Sequence, residues 1–275
     1  MSKIAYLGPN GTFSEEAALK FFAEDADTEW VMLDSIPDVL EAVSLNVVDK
    51  CMVPIENSIA GNIHMTIDGL LLYNLRIEAD VVFKVSLHLI GNQGSAMSDI
   101  QAVRSIMPAI NQCRQFIKEH GLKLEYADST AHAALSVKES GDAATAAIGS
   151  ASVAEKYGLQ ILQSNVQDHS ANHTRFVVVS KKPSEEVGHK KTMMLITPSE
   201  EYPGVLSSIL NVFSALGINL SWIESRPTGR KLGEYRFLIE TEAGGNEQRM
   251  DKAIKIIETF GHDVHVLGSY ATTVL

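Results

Sequence analysis

The sequence predicts an α/β chain in two parts: a two-lobed region on mostly parallel sheets, then a smaller ferredoxin-like unit. Three observations carry that prediction. Up to about residue 180, short apolar strands alternate with amphipathic helices, the rhythm of a parallel sheet with helices on its faces. The polar, charged stretch "SKKPSEEVGHKK" (180–191) then breaks the pattern with a Pro and a Gly, as inter-domain linkers do. After it the order becomes β-α-β-β-α-β. At 275 residues the chain is long for one domain and comfortable for two.

The elements follow in order. "KIAYL" (3–7) reads as a strand. "GTFSEEAALKFF" follows as a helix, with Thr12 and Glu15 spaced as a capping box. "EWVML" (29–33) is the next strand, and "DSIPDVLEAV" opens a helix with Ser35 as N-cap and Pro37 in its first turn. "CMVPI" (51–55) is a third strand, and "RIEADVVFKVSLHLIG" (76–91) a long β-rich crossing into a second lobe. There "AVRSI", "KLEYA" and "TAAIG" read as strands, with helices near 109–119, 130–139 and 150–157. "TRFVVVS" closes the region. Two such lobes joined by a strand-like segment imply a hinge and a cleft, and ligands bind outside the carboxyl ends of the strands. Beyond the linker, "TMMLI" (192–196), "INLSWIESR", "EYRFLIET" and "VHVLGSY" are strands. Helices at 204–217 and 246–261 carry apolar faces: Leu206, Ile209, Leu210 and Phe213 on the first, Met250, Ile254 and Ile257 on the second. Gly261 suits the second helix's C-terminal cap. This unit has a modest core, so pairing with a second copy is expected.

Hydrophobic residues make up 45% of the chain and charged residues 21%, which excludes a disordered chain. The N-terminus lacks a signal-peptide apolar region, and no apolar run reaches membrane-spanning length. Cys51 and Cys113 form no CxxC pair and no metal-spaced cluster, so each is expected as a reduced, buried small residue. A soluble, cytoplasmic protein follows. The net charge of −11 argues against nucleic acid and anionic membranes as partners. An anionic substrate would therefore need donors concentrated locally.

Several strand ends turn abruptly polar. "MVPIENSIAGNIH" (52–64) runs from a buried strand into Asn57 and Ser58; a capped strand-to-helix loop reads equally from these residues. "ADSTAHAA" (127–134) places Ser129 and Thr130 at a helix N-terminus, suited to a carboxylate or simply capped. "VRSIMPAINQC" (103–113) puts Ser105 at a strand end and Gln112 on the next helix, where an amide is by default solvated. In "ANHTRFVVV" (171–179), Thr174 and Phe176 face one way and Arg175 the other. Arg175 reads as a bidentate carboxylate clamp or a structural ion pair. His132, His169 and His173 read as loop residues rather than bases, and "LGPNG" is too weak for a dinucleotide fingerprint. In the second domain, Glu224 and Arg226 on the strand, with Asn219 after a Gly-containing turn, read as a salt bridge on a half-exposed strand or as a small zwitterion site.

Taken together, "AYLGPNGTFS" (5–14), "VPIENS" (53–58), "STA" (129–131), "YGLQIL" (157–162), "TRFVVV" (174–179), "PGVL" (203–206) and "GINLSWIESRP" (217–227) resemble prephenate dehydratase, the monofunctional bacterial form with a C-terminal ACT domain. The resemblance implies a periplasmic-binding-protein-like, two-lobed catalytic domain at 1–182 and a ferredoxin-like ACT domain at 190–275. It implies conversion of prephenate to phenylpyruvate, water and carbon dioxide without cofactor or metal, inhibition by phenylalanine, and a homodimer or tetramer. The family's essential threonine falls on Thr174, and its asparagine, serine and glutamine on Asn57, Ser105 and Gln112. Ser58, Ser129, Thr130, Arg175 and Phe176 are expected around the substrate. Gly204, Val205, Leu206, Asn219, Leu220, Glu224, Ser225, Arg226 and Pro227 are expected around phenylalanine. The chain departs from the family pattern in two places: Ile106-Met107-Pro108 follows Ser105 where His-Pro-Gln is usual, and Val205 replaces alanine. Arogenate dehydratase and a non-catalytic amino-acid sensor are the alternatives.

Overall fold

The computed structural model describes residues 2–23, 27–183, 188, 190–200, 202–229, 231 and 233–275. Residues 184–187 and 189 of the expected linker, and Glu201 before "YPGVL", lie outside the described residues. The chain divides by contact into a unit of Met1–Gly69, Val81–Val177 and Val274–Leu275, and a unit of Leu70–Asp80 and Val178–Thr273.

In chain order, the first lobe contains β1 (Ser2–Leu7), α1 (Phe13–Phe21), β2 (Thr28–Leu33), α2 (Ile36–Ser44), β3 (Lys50–Asn57), β4 (Gly61–Asn62), α3 (His64–Leu72) and β5 (Arg76–Lys84). β1 pairs in parallel with β2 and β3, as the β-α-β-α-β rhythm requires. Thr12 caps α1 by accepting from Glu15 N–H, and Ser35 caps α2 with Pro37 in its first turn. The capping box at α1 forms only in half: the Glu15 carboxylate takes Gly11 N–H rather than the Thr12 N–H. α3 escaped the periodicity reading. Its buried Thr66 donates to Pro54 O, which ties the helix to β3.

The second lobe contains β6 (His88–Gly91), β7 (Ala102–Ser105), α4 (Met107–Gln112), α5 (Arg114–Glu119), β8 (Lys123–Tyr126), α6 (Thr130–Ser140), β9 (Thr145–Gly149), α7 (Ala151–Tyr157) and β10 (Gln160–Gln163). β7 runs parallel to β8 and β9, while β6 is antiparallel to β9 and β10. The helix expected near 109–119 is two helices broken at Cys113. The break leaves Gln115 N–H without an intrahelical acceptor, and the Asp168 carboxylate accepts it at 3.1 and 3.2 Å. β11 (His173–Ser180) returns to the first lobe's sheet, between β3 and β5.

The second unit contains β12 (Lys191–Thr197), α8 (Val205–Ala215), β13 (Leu220–Pro227), β14 (Tyr235–Thr241), α9 (Gln248–Thr259) and β15 (Asp263–Tyr270); β16 (Thr272–Val274) follows. Its antiparallel sheet has the order β13-β14-β12-β15. That is the ferredoxin-like arrangement read from the sequence. Ile209 and Phe213 of α8 and Met250 and Ile257 of α9 pack into one core with Met194 and Ile239 of the sheet. A polar network accompanies this core. Lys191 Nζ lies 3.4 Å from Asp80 and 3.8 Å from Glu240, both buried carboxylates. Tyr270 and Ser221 donate to Glu240, and Thr272 donates to Asp80.

Candidate active site

β3 is buried as far as Ile55 and surfaces at Glu56 and Asn57. Asn57 is where the strand's own ladder runs out, so its side chain organises the turn. Its Oδ1 accepts from Ile59 N–H at 3.0 Å and Ala60 N–H at 2.9 Å. Two backbone donors on one oxygen fix which end of the amide is which. The Nδ2 must then face the start of β11. It donates to Asn172 Oδ1 at 3.0 Å, His173 O at 3.2 Å and Thr174 Oγ1 at 3.0 Å. Because Thr174 Oγ1 accepts from Asn57, its own proton is available to another acceptor.

Asn172 is wholly buried. Its Nδ2 donates to Gln112 Oε1 at 2.8 Å, so the amide joins the first lobe's Asn57 to the second lobe's Gln112. Its backbone carbonyl accepts from Val85 N–H at 2.9 Å, between β5 and β6. The Asp168 N–H donates to Gln112 O at 2.7 Å, which holds the end of α4. Ser58 straps the same place: its hydroxyl donates to Ala171 O and accepts from His173 N–H, both at 3.0 Å.

Asn57, Ser58, Gln112 and Thr174 are therefore brought together from 117 residues of chain separation. The other expected site residues sit as follows. Ser105 is fully buried and donates to Ile148 O at 2.7 Å, which ties β7 to β9. Arg175 lies 3.3 Å from Glu56, its side chain 15% exposed; this is the ion pair that the sequence also allowed. Phe176 is buried, edge-on to Phe83 with centroids 6.5 Å apart. It packs in the core on the same strand face as Thr174. Ser129 caps α6, accepting from His132 N–H, and Thr130 is buried in its first turn. Those first turns of α6 and α7 meet the first lobe's glycine loop. A Cβ on Gly11, whose φ is +91°, would stand 2.9 Å from Val153 and 3.4 Å from Ala131. His132 and His169 are exposed, and His173 enters the cluster through its backbone. Of the departures after Ser105, Ile106 packs against the second lobe's core and Met107 faces solvent.

In the second unit, Gly204 is the N-cap of α8 at φ +95°, and Leu206 is half-buried against the helix–sheet core. Val205 points into that core and is buried, so its extra bulk relative to alanine goes into packing. Asn219 donates to Glu242 at 2.8 Å and precedes Leu220, the first residue of β13. Glu224 and Arg226 pair at 3.2 Å on the half-buried face of β13, with Ser225 and Pro227 on its exposed face. The salt bridge read from the sequence is therefore present.

Burial pushes the Cys113 thiol up to about 12, with Asp168 adding to the shift. Burial also raises Cys51 and, with Glu15 beside it, the Tyr6 hydroxyl. None of these is a nucleophile or base at neutral pH. Among the described residues, no group of His, Cys, Asp and Glu is arranged to hold a metal. The site offers fixed amides and one free hydroxyl proton. Such donors stabilise departing negative charge better than they move protons.

Residues 4–184 match the prephenate dehydratase family, and residues 201–259 match the ACT domain. Prephenate dehydratase of Methanocaldococcus jannaschii is 37% identical over 97% of this chain and 97% of its own length. Arogenate dehydratase/prephenate dehydratase 1 of Arabidopsis thaliana is 35% identical over 98% of this chain and 71% of its own. The solved structure of Arthrobacter aurescens prephenate dehydratase in complex with L-Phe superposes with a TM-score of 0.87 at 33% identity, over 98% of this chain and 90% of that one. The match over residues 4–184, together with relatives aligned along nearly the whole chain, shows that the chain belongs to the prephenate dehydratase family.

Proposed function

We infer that residues 1–182 convert prephenate to phenylpyruvate, water and carbon dioxide in L-phenylalanine biosynthesis, and that residues 190–275 bind phenylalanine and inhibit that step. The observation that supports the catalytic part best is the Thr174 hydroxyl. It accepts from Asn57 and keeps its proton for a ligand at the junction of the lobes. The electron pair of the bond to the ring carboxylate enters the ring as carbon dioxide leaves. The pair displaced across the ring expels the hydroxyl at the opposite carbon, and the ring becomes aromatic. Aromatisation drives the reaction, so no cofactor is required. The departing hydroxide takes one proton from solvent to become water. Thr174, with its high intrinsic pKa, hydrogen-bonds that oxygen as charge builds and does not surrender its proton. Gln112 holds the retained side-chain carboxylate, with the α6 N-terminus at Ser129 and Thr130 adding its dipole, while Arg175 stays engaged by Glu56 beside the site. Ser105 and Ser58 hold the walls, and Phe176 keeps water from the face on which carboxylate is lost.

For regulation, Gly204, Leu206, Asn219 and Leu220 surround the effector at the start of α8 and β13, between two copies of the chain. Inhibition requires phenylalanine to prefer one conformational state. One assay tests the whole reading: phenylpyruvate formed from prephenate, with and without phenylalanine, and arogenate offered in parallel. Turnover of prephenate that phenylalanine suppresses is expected. Turnover of arogenate alone would reassign the substrate. Calorimetric binding of phenylalanine without turnover of either would leave a sensor, and no heat with phenylalanine would remove the regulatory half.

A further inference from the structure

The amides of Asn57, Asn172 and Gln112 form a chain with a direction. At one end, Ile59 and Ala60 present two backbone N–H groups, which demand the oxygen of Asn57. That leaves Asn57 Nδ2 for Asn172, so Asn172 must answer with Oδ1. Asn172 then has only its Nδ2 for Gln112, which must answer with Oε1. The orientation of Gln112 is thus set by two backbone groups in the other lobe. Its own Nε2 is left as a donor. Asn172 is wholly buried, so neither of its ends can take water instead, and an unmatched end there costs a full desolvation penalty.

We propose that Asn172 is a positioning residue: it orients the Gln112 amide so that its NH2 group, and not its carbonyl, meets the substrate's retained carboxylate. The proposal rests on the reading above that Gln112 touches substrate. Sequence reasoning passed over Asn172, although it shares strand parity with Thr174 and Phe176. A donor facing a carboxylate binds it, and a carbonyl in the same place repels it. The choice is made in the hinge rather than at the substrate. Val85, between β5 and β6, donates to the backbone carbonyl of Asn172, which itself lies just before β11, so the outgoing and returning segments meet at this asparagine.

The test is Asn172→Asp in the full chain. Aspartate has the same outline but no donor. It still accepts from Asn57, so the Thr174 side is preserved. Gln112 must turn its Nε2 toward the introduced carboxylate and offer its carbonyl to the substrate. KM for prephenate is expected to rise about 10- to 100-fold, the worth of one hydrogen bond to a charged group, with kcat changed by less than about threefold. A buried carboxyl has a raised pKa. As pH falls and it takes a proton, it regains a donor, and the ratio of mutant to wild-type KM should fall back toward one. A merely structural role would lower Tm and raise KM in the Gln112→Ala background as well, whereas the positioning role requires Gln112 for the KM effect. Gln112→Ala separates the two readings. If Gln112→Ala leaves KM unchanged, the substrate-contact reading fails. If Gln112→Ala raises KM but Asn172→Asp does not, or does so equally at every pH, the positioning role is overturned and the contact reading stands. Should Asn172→Asp fail to fold, Asn57→Asp reverses the same chain from its half-buried end. It should raise KM in the wild-type background and leave KM unmoved in the Gln112→Ala background; equal effects in both backgrounds would sink the proposal.

Discussion

Replacing Thr174 by valine removes one hydroxyl and keeps the β-branched outline of the side chain. The structure says what else is lost. Asn57 Nδ2 gives up one acceptor at 3.0 Å but keeps Asn172 Oδ1 and His173 O, so no amide is orphaned. The stability cost is therefore one ordinary hydrogen bond, about 0.5–1.5 kcal/mol. For a chain of this length that lowers Tm by only about 1–6 °C. The catalytic cost is larger. A preorganised donor aimed at developing charge contributes about 2.7–4 kcal/mol where such donors have been deleted, a loss of about 100- to 1,000-fold in kcat. KM should stay within a few-fold, because the charge on the departing oxygen exists only in the transition state. Thr174→Ser keeps the hydroxyl and should retain kcat within about tenfold of wild type, allowing for its looser rotamer. The assay is initial-rate phenylpyruvate formation, with Tm measured on the same preparations. A folded Thr174→Val enzyme with wild-type kcat would refute the role. So would a serine variant as slow as the valine one, because the hydroxyl would then not be what matters.

Three further outcomes are expected. Lys191→Met removes an ammonium that the buried Asp80 and Glu240 carboxylates share, and should destabilise the second unit by at least about 1 kcal/mol; urea unfolding at neutral pH reads it, and an unchanged midpoint would contradict it. His265 has its pKa lowered, first by burial and then by Arg76, which donates to its Nε2 at 2.7 Å. The unfolded chain therefore binds a proton near about pH 6.5 that the folded chain resists, and stability should fall as pH drops below that value; His265→Gln should flatten this acid limb in Tm-against-pH curves. Cys51 and Cys113 are wholly buried with raised thiol pKa values, so neither should react with a thiol reagent until the chain unfolds; a titratable thiol in the native enzyme would mean local opening.

Strand and helix alternation, the change of rhythm beyond the linker and the polar strand ends were all legible, because each is a local consequence of burial. Asn57 and Thr174 could be flagged for the same reason: both stand where an apolar strand surfaces. What the sequence could not show was direction. Arg175 offered a clamp or an ion pair, and only the fold places Glu56 3.3 Å from it. Ser105 looked like a rim hydroxyl, yet the neighbouring strand's Ile148 carbonyl claims it. The break at Cys113 was invisible because the carboxylate that caps the freed N–H, Asp168, lies 53 residues away from it. Asn172 had a signal that went unused: the alternation pairing Thr174 with Phe176 extends back to it.

The kind of donor in this site suits a reaction that discards charge. Prephenate arrives with two carboxylates and phenylpyruvate leaves with one. A pocket of cations would bind the dianion tightly and hold it, since the ground state carries the charge that the transition state sheds. Neutral amides and a hydroxyl bind more gently and keep their geometry as the charge moves. In this chain the cation beside the threonine is already engaged by Glu56, and the amides are locked by backbone donors at one end. A protein of net charge −11 can thus offer an anion fixed dipoles rather than an opposing charge. The same argument predicts the result of adding a charge. Gln112→Lys should lower KM for prephenate and leave kcat within a few-fold, because the retained carboxylate keeps its charge and is bound as tightly in the transition state as in the ground state. A fall in kcat as large as the fall in KM would show that Gln112 faces the carboxylate that is lost and not the one that is retained.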